Sequence, residues 1–481
     1  MAEGDEPTDR DPDDLASKIP LFAELDKLMS WRDGPVNWDL ARQVAIKAVS
    51  GNDPKVGGAE AAAAADALRL ADLWLNEVTA LPSGLLGPAE AWNRVRWIEA
   101  TLPVWRTVID AVAEQVTAAM GTTLQQGLQG VAENGLPPEV AAMLPPEMAA
   151  QLPSDASGFS ALLGPMMGML GQVGGLLFGT QIGQALGALA GDVLTATEVG
   201  LPLAPAGTTA LLPGNVSAFG VGLQIPADEI RLFLALREVA AARLFGHVPW
   251  LRAGLLGAVE EYAQGIRVDP EQVMRGMESF QSSFDPSSPD SLSAAISEGM
   301  FDVPDTAEQQ RALNRLETLL ALVEGWIDTV TAAASEPRLP HASALRETVR
   351  RRRAAGGPAE TTFTTLVGLT MRPRRLREAA AVWEGLATTR GIDGRDAVWS
   401  HPDLLPSAEQ LDDPAGFVTG QEGSSTDDPI AAIEALAAAG NSGPREASGI
   451  GRHPQNTTSE SDPDPAPDSG SEPPGDPSDP A

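Results

Sequence analysis

Residues 159–191 run for 33 positions without a charged side chain, and glycine recurs within them at 171, 175, 179, 183, 187 and 191. Positions four apart sit one above the other along a helix, so this spacing puts all six glycines on one face. A bare stripe of that kind lets a neighbouring helix approach closely, as in membrane G-x-x-x-G pairs. The run is also long enough to span a bilayer. Against insertion, Gln172, Thr180, Gln181 and Gln184 interrupt it, and its nearest charges are Asp155 and Asp192, not flanking cations. The expectation is a buried, tightly packed helix of a soluble protein. Membrane association through 159–191 is the alternative.

The 481 residues carry 33 Lys and Arg against 66 Asp and Glu, a formal net charge of −33. That excess disfavours broad contact with nucleic acid, which needs clustered cations. The chain has no cysteine, so disulfides, thiolate metal sites and cysteine nucleophiles are excluded. Four histidines (His247, His341, His401, His453) leave few candidates for a histidine-ligated metal. Much of the acidity lies at the ends: seven acids against one base in residues 1–14, and sixteen against two in 403–481. No basic stretch followed by an apolar one opens the chain, so the expected location is cytoplasmic.

Four regions are expected. Residues 1–14 and 406–481 read as acidic and mostly disordered, because like charges outnumber apolar groups there. Residues 15–155 read as a helical region, with Trp92, Trp97 and Trp105 in its core and the tandem LPPEVAAM and LPPEMAAQ forming two short surface helices. Residues 156–405 read as a helical core with a small β hairpin at 208–226, turning at Pro213-Gly214-Asn215. A helix follows over 228–245, with more at 305–335, 341–355, 359–370 and 374–390. The fold class is mainly α, with a short β element before the 228–245 helix.

The blocks GPVNWDLARQVA (34–45), AWNRVRWIEATLPVWR (91–106), LFGHVPWLRAGLLGAVEEYAQGI (244–266) and LVGLTMRPRRLREAAAVWEGL (366–386) resemble a bacterial zincin-like metallopeptidase family. The resemblance runs from about Leu21 to Phe417 and implies a zinc-dependent metalloprotease or hydrolase. Its chemistry rests on H-E-x-x-H: two histidines one helical turn apart hold zinc, and the glutamate acts as general base on the metal-bound water. The resemblance aligns this motif with Arg237-Glu238-Val239-Ala240-Ala241. Glu238 falls at the base position, while Arg237 and Ala241 replace both histidines. The family's third ligand falls on Glu324, and the residue that orients a ligand histidine on Asp328.

A guanidinium has no lone pair for zinc and a methyl group offers nothing. The expectation is therefore a weak or inactive enzyme, or a non-catalytic binding or regulatory scaffold for a protein or peptide partner. Arg237 is expected to fill the former metal position as a cation paired with Glu324 or Asp328. His247 is expected to bond backbone carbonyls at a helix end, and His341 and His401 to serve in loops or caps. A cluster of arginines (Arg346, Arg350, Arg351, Arg352, Arg353, Arg372, Arg374, Arg375 and Arg377) reads as a solvated face or an anion-binding patch. No phosphate-binding loop or nucleophile elbow occurs.

Overall fold

The computed structural model describes residues 34–83, 87–134, 175–176, 178–265, 306–356 and 375–420. The chain divides into a unit ending at Gly423 and a second, 424–481, and every described residue belongs to the first. The tandem LPPE segment, the helix expected at 359–370, residues 1–14 and residues 421–481 lie outside the described residues, whereas 406–420 of the expected tail are ordered, with Leu411 and Val418 in the core.

The elements are α1 (Trp38–Ser50), α2 (Gly58–Leu75), β1 (Ala89–Ala91), α3 (Arg94–Asn134), α4 (178–192), β2 (Thr209–Leu211) and α5 (Pro213–Gly220). They continue with α6 (Ala227–His247), α7 (Pro249–Gln264), α8 (Ala307–Ser335), α9 (Ala342–Ala354), α10 (Leu376–Asp396) and α11 (Pro414–Thr419). One hydrophobic cluster draws on all of them from Val36 to Val418, with Trp92, Trp97 and Trp105 inside it. At its centre run α6 and α8, packed on α2, α7 and α10. Both are buried over long unbroken stretches, Phe233–Leu244 and Leu319–Ala332. A helix covered on every side must be apolar nearly all round, and any ion it carries needs a partner.

The glycine stripe does what its spacing predicts for the part described. α4 lies so close to α1 that a Cβ on Gly183 would meet the Ala41 carbonyl oxygen at 2.5 Å, and one on Gly187 would meet the Ala48 methyl at 2.7 Å. Of the residues facing Gly183 and Gly187, Ala41, Ala45 and Ala48 are small, and the Val44 Cβ would lie 2.6 Å from a Cβ on Gly183. No helix among the described residues is long and apolar enough to cross a membrane. A Cβ on Gly191 would meet nothing within 4 Å. Gly183→Ala is therefore expected to lower unfolding stability by ~2 kcal/mol through overpacking. Gly191→Ala, which gains helix propensity, is expected to be neutral or slightly stabilising, by under ~1 kcal/mol. Urea unfolding of the two variants checks the pair, and equal effects would contradict the close packing.

The β element departs from expectation. No hairpin forms at 208–226. β2 instead pairs in parallel with the distant β1, in the register Ala89↔Thr209, Glu90↔Ala210 and Ala91↔Leu211. Pro213 opens α5 at its first turn, where a missing N–H costs nothing. Asn215 then binds the end of α4, its amide donating to the carbonyls of Ala190 (3.0 Å) and Val193 (2.6 Å), while Arg94 Nε donates to its oxygen (2.8 Å). What read as a turn between strands is the start of a helix. On its other side β2 meets the 194–196 segment through an antiparallel bridge, Thr195↔Leu211.

Candidate functional site

α6 and α8 face each other through one ion pair. Arg237 Nη2 donates to Glu324 Oε2 at 2.7 Å, between side chains that are 10% and 3% exposed. Glu324 Oε1 is taken by a second guanidinium, Arg353 Nη1 of α9, at 2.8 Å. Both oxygens of the carboxylate thus sit in ion pairs with guanidinium groups, and the one with Arg237 is also a charge-assisted hydrogen bond. Ala241, one turn beyond Arg237, is buried and lines the same small cavity of about 20 Å³ together with Thr195, Glu198, Arg237, Glu324 and Arg353. That space suffices for about one water.

Glu238 is fully buried and does not line this cavity. Its carboxylate turns to the β2 edge, where Oε2 accepts from Thr197 N (3.1 Å) and Thr197 Oγ1 (2.6 Å), and Oε1 from Ala210 N (3.1 Å). Burial pushes its pKa up, opposed by these bonds and by one from the Thr195 hydroxyl. The carboxylate therefore fastens α6 to β2 and to the loop after α4.

Asp328, one turn after Glu324, does not meet Arg237 directly. It accepts from Arg346 Nε (2.8 Å) and Arg350 Nη2 (2.6 Å), and Arg346 also reaches Glu384 at 2.7 Å. Burial alone would raise the Asp328 pKa, but the hydrogen bonds from Arg346 and Arg350 outweigh it and hold the carboxyl below the usual range. α9 thus sets three arginines, at 346, 350 and 353, along one face and lays them on the two acids of α8.

The arginine cluster is accordingly not one outward patch. Arg350 and Arg353 turn inward, and Arg352 bonds the Asp192 carbonyl, 3.7 Å from Glu198. Arg351 is exposed and pairs with Glu347 in the same helix (2.7 Å). Arg375 bonds the Ala408 carbonyl and lies 3.3 Å from Asp412, and Arg377 is exposed. Arg372 and Arg374 lie outside the described residues. The inward turn follows from the acids that α8 and the 192–198 segment present, which outcompete solvent for a helix with few apolar residues to bury.

The three described histidines lie elsewhere. His247 Nε2 bonds the Pro82 carbonyl at 2.6 Å, at the end of α6. His341 caps α9 and bonds Glu229 through Nδ1 (3.1 Å), and His401 Nδ1 accepts from Asp403 N at 3.3 Å. Zinc needs several side chains with free lone pairs, typically three in a catalytic site. Here Arg237 and Ala241 provide none, and Glu324 has both oxygens engaged by guanidinium groups. Among the described residues no three His, Cys, Asp or Glu side chains converge as a metal site. The side chains at this position do not fit zinc.

The sequence pairs Arg237 with Glu324 or Asp328 and sets Arg353 in the arginine cluster without its contact to Glu324; Glu198, Thr195 and Thr197 are missed. The i, i+4, i+7 spacing of Arg346, Arg350 and Arg353 carried a signal for that contact. The threonines carried none, since their role depends on where β2 lands.

The sequence matches the family model of zincin-like metallopeptidases over residues 36–418. No curated protein matches it. A solved structure from Chloroflexus aurantiacus, described as “a putative hydrolase with a novel fold”, is similar at a TM-score of 0.51 and 20% identity, covering 81% of this chain and 100% of that one. At that identity the likeness concerns the fold. The match spans most of the chain and contains the helices that bring Arg237 to Glu324, so the chain belongs to the zincin-like metallopeptidase family.

Proposed function

We propose that this chain is a non-hydrolytic member of its family, a scaffold in which a fixed cation pair stands where relatives hold zinc, and which acts by binding a protein or peptide. One observation carries the reading: Glu324, at the third-ligand position, shares its two oxygens between Arg237 (2.7 Å) and Arg353 (2.8 Å). Two guanidinium groups supply the positive charge that holds α6, α8 and α9 together, as a metal would. They cannot lower the pKa of a bound water or polarise a peptide carbonyl as a Lewis acid does.

Glu238 supports the same reading. A general base must reach the water it activates, whereas this carboxylate is occupied by Thr197 and Ala210. The net charge of −33 favours a partner other than nucleic acid.

Metal analysis of untagged protein, purified with zinc in the buffer and then dialysed, tests the proposal alongside a peptidase assay. The expected result is far less than one zinc per chain and no zinc-dependent cleavage. One zinc per chain, lost in Glu324→Ala, would overturn it.

A further inference from the structure

α2 turns Ala64, Leu68, Ala71 and Leu75 into the core, all on one side of the helix. The opposite side carries Ala62, Asp66, Arg69 and Leu73, and all four are exposed. Their spacing of four, three and four residues is that of a heptad seam, along which one helix packs on another. Leu73 is 62% exposed and its neighbour Leu70 38%, so two of the five exposed large apolar side chains among the described residues share this face. Beyond Leu73 the seam is closed off. Arg338 lies 5.2 Å over the Trp74 ring and pairs with Glu77.

The order of residues along the seam selects its occupant. It runs small, acid, base, large. An antiparallel copy, related by a two-fold axis midway between residues 67 and 68, sets position 62 against 73 and position 66 against 69. Leu73 then covers Ala62 of the partner subunit, and Asp66 meets Arg69 of the partner subunit. Asp66 and Arg69 pair with each other along the helix, with side chains 72% and 65% exposed, so turning to a second copy breaks no buried contact. A parallel copy would instead set Asp66 against Asp66.

We propose that two copies of this chain associate antiparallel through α2, with Leu73 on Ala62 and Asp66 on Arg69 across the two-fold axis. Such an isologous contact closes a dimer. One helix pair buries less than the ~1,200 Å² of a stable complex, so the dimer is weak, with a dissociation constant of about 10–100 μM.

Sedimentation velocity of the full-length protein, from roughly tenfold below to tenfold above that range, should show monomer passing to dimer. Salt at ~0.15 M screens the −33 charge of separate copies beyond about 8 Å. Leu73→Glu should weaken association at least ~30-fold, as loss of a central apolar anchor does. Asp66→Arg and Arg69→Asp should each weaken it roughly tenfold, because each sets like charges across the axis. An equimolar mixture of those two variants should recover near wild-type association, since both contacts become Arg–Asp again. All three positions are exposed, and unchanged unfolding midpoints check that the variants fold. A chain that stays monomeric would leave this face to another protein's helix and overturn the proposal. So would a dimer indifferent to Leu73→Glu, or a mixture no tighter than its components. Zinc content enters none of these readouts, so their failure leaves the metal-free reading standing.

Discussion

Glu238→Ala is expected to cost about 4 kcal/mol of unfolding stability, because two backbone N–H groups and a hydroxyl would lose their acceptor in a fully buried place. Glu238→Gln keeps one oxygen but turns an amide NH₂ toward donors, and about half of that loss is expected. Thr197→Val, which removes only the hydroxyl bond, should cost ~1 kcal/mol. Urea unfolding of the three variants orders them. For a general base the pattern would be the reverse, with glutamine abolishing hydrolysis and leaving stability nearly untouched.

The pH dependence has a definite sign. Burial raises the Glu238 pKa above its usual 4.5 in the folded chain. In the window above 4.5 the folded state then binds more protons than the unfolded one, so this group's contribution falls as pH rises through its folded pKa. The stability gap between wild type and Glu238→Gln should therefore be widest in mild acid and narrow toward neutrality. A gap independent of pH, or an alanine variant with an unchanged midpoint, would remove Glu238 from its fastening role.

Glu324→Ala carries the second large effect. It leaves Arg237 and Arg353 buried close together without their shared counter-ion, and a loss of ~3–5 kcal/mol is expected. Arg237→Ala should cost less, because Glu324 keeps Arg353. In a double-mutant cycle the two substitutions should couple by more than ~1 kcal/mol, as contacting ion pairs do. Additivity within error would mean that the pair contributes nothing to holding α6 on α8.

How far the chain could be read in advance depended on how local each feature was. The α6 and α8 helices, the core tryptophans and the glycine face of α4 follow from spacing alone, and the structure bears them out. The Arg237–Glu324 pair could be anticipated because an aligned motif fixed two positions and elementary charge balance supplied the rest. Pro213 misled because proline serves both a turn and the first turn of a helix, and only the Asn215 contacts with α4 and Arg94 decide between them. Glu238 kept its identity but not the expected surroundings, since its partners Thr197 and Ala210 come from segments with no distinctive pattern. Arg243 shows the same limit. Nothing near it in sequence announces that its donors will meet Asp72, Asn76 and the Leu81 carbonyl on and beyond α2.

The parallel pairing of β1 with β2 bears on how the protein is made. Ala89 leaves the ribosome roughly 120 residues before its partner Thr209, a wait of about 6–24 s at ordinary rates of synthesis. Throughout it the nascent Ala89–Ala91 backbone has no mate and could recruit a stray chain. Its brevity and the negative charge of Glu90 at its centre make it a poor template for such recruitment.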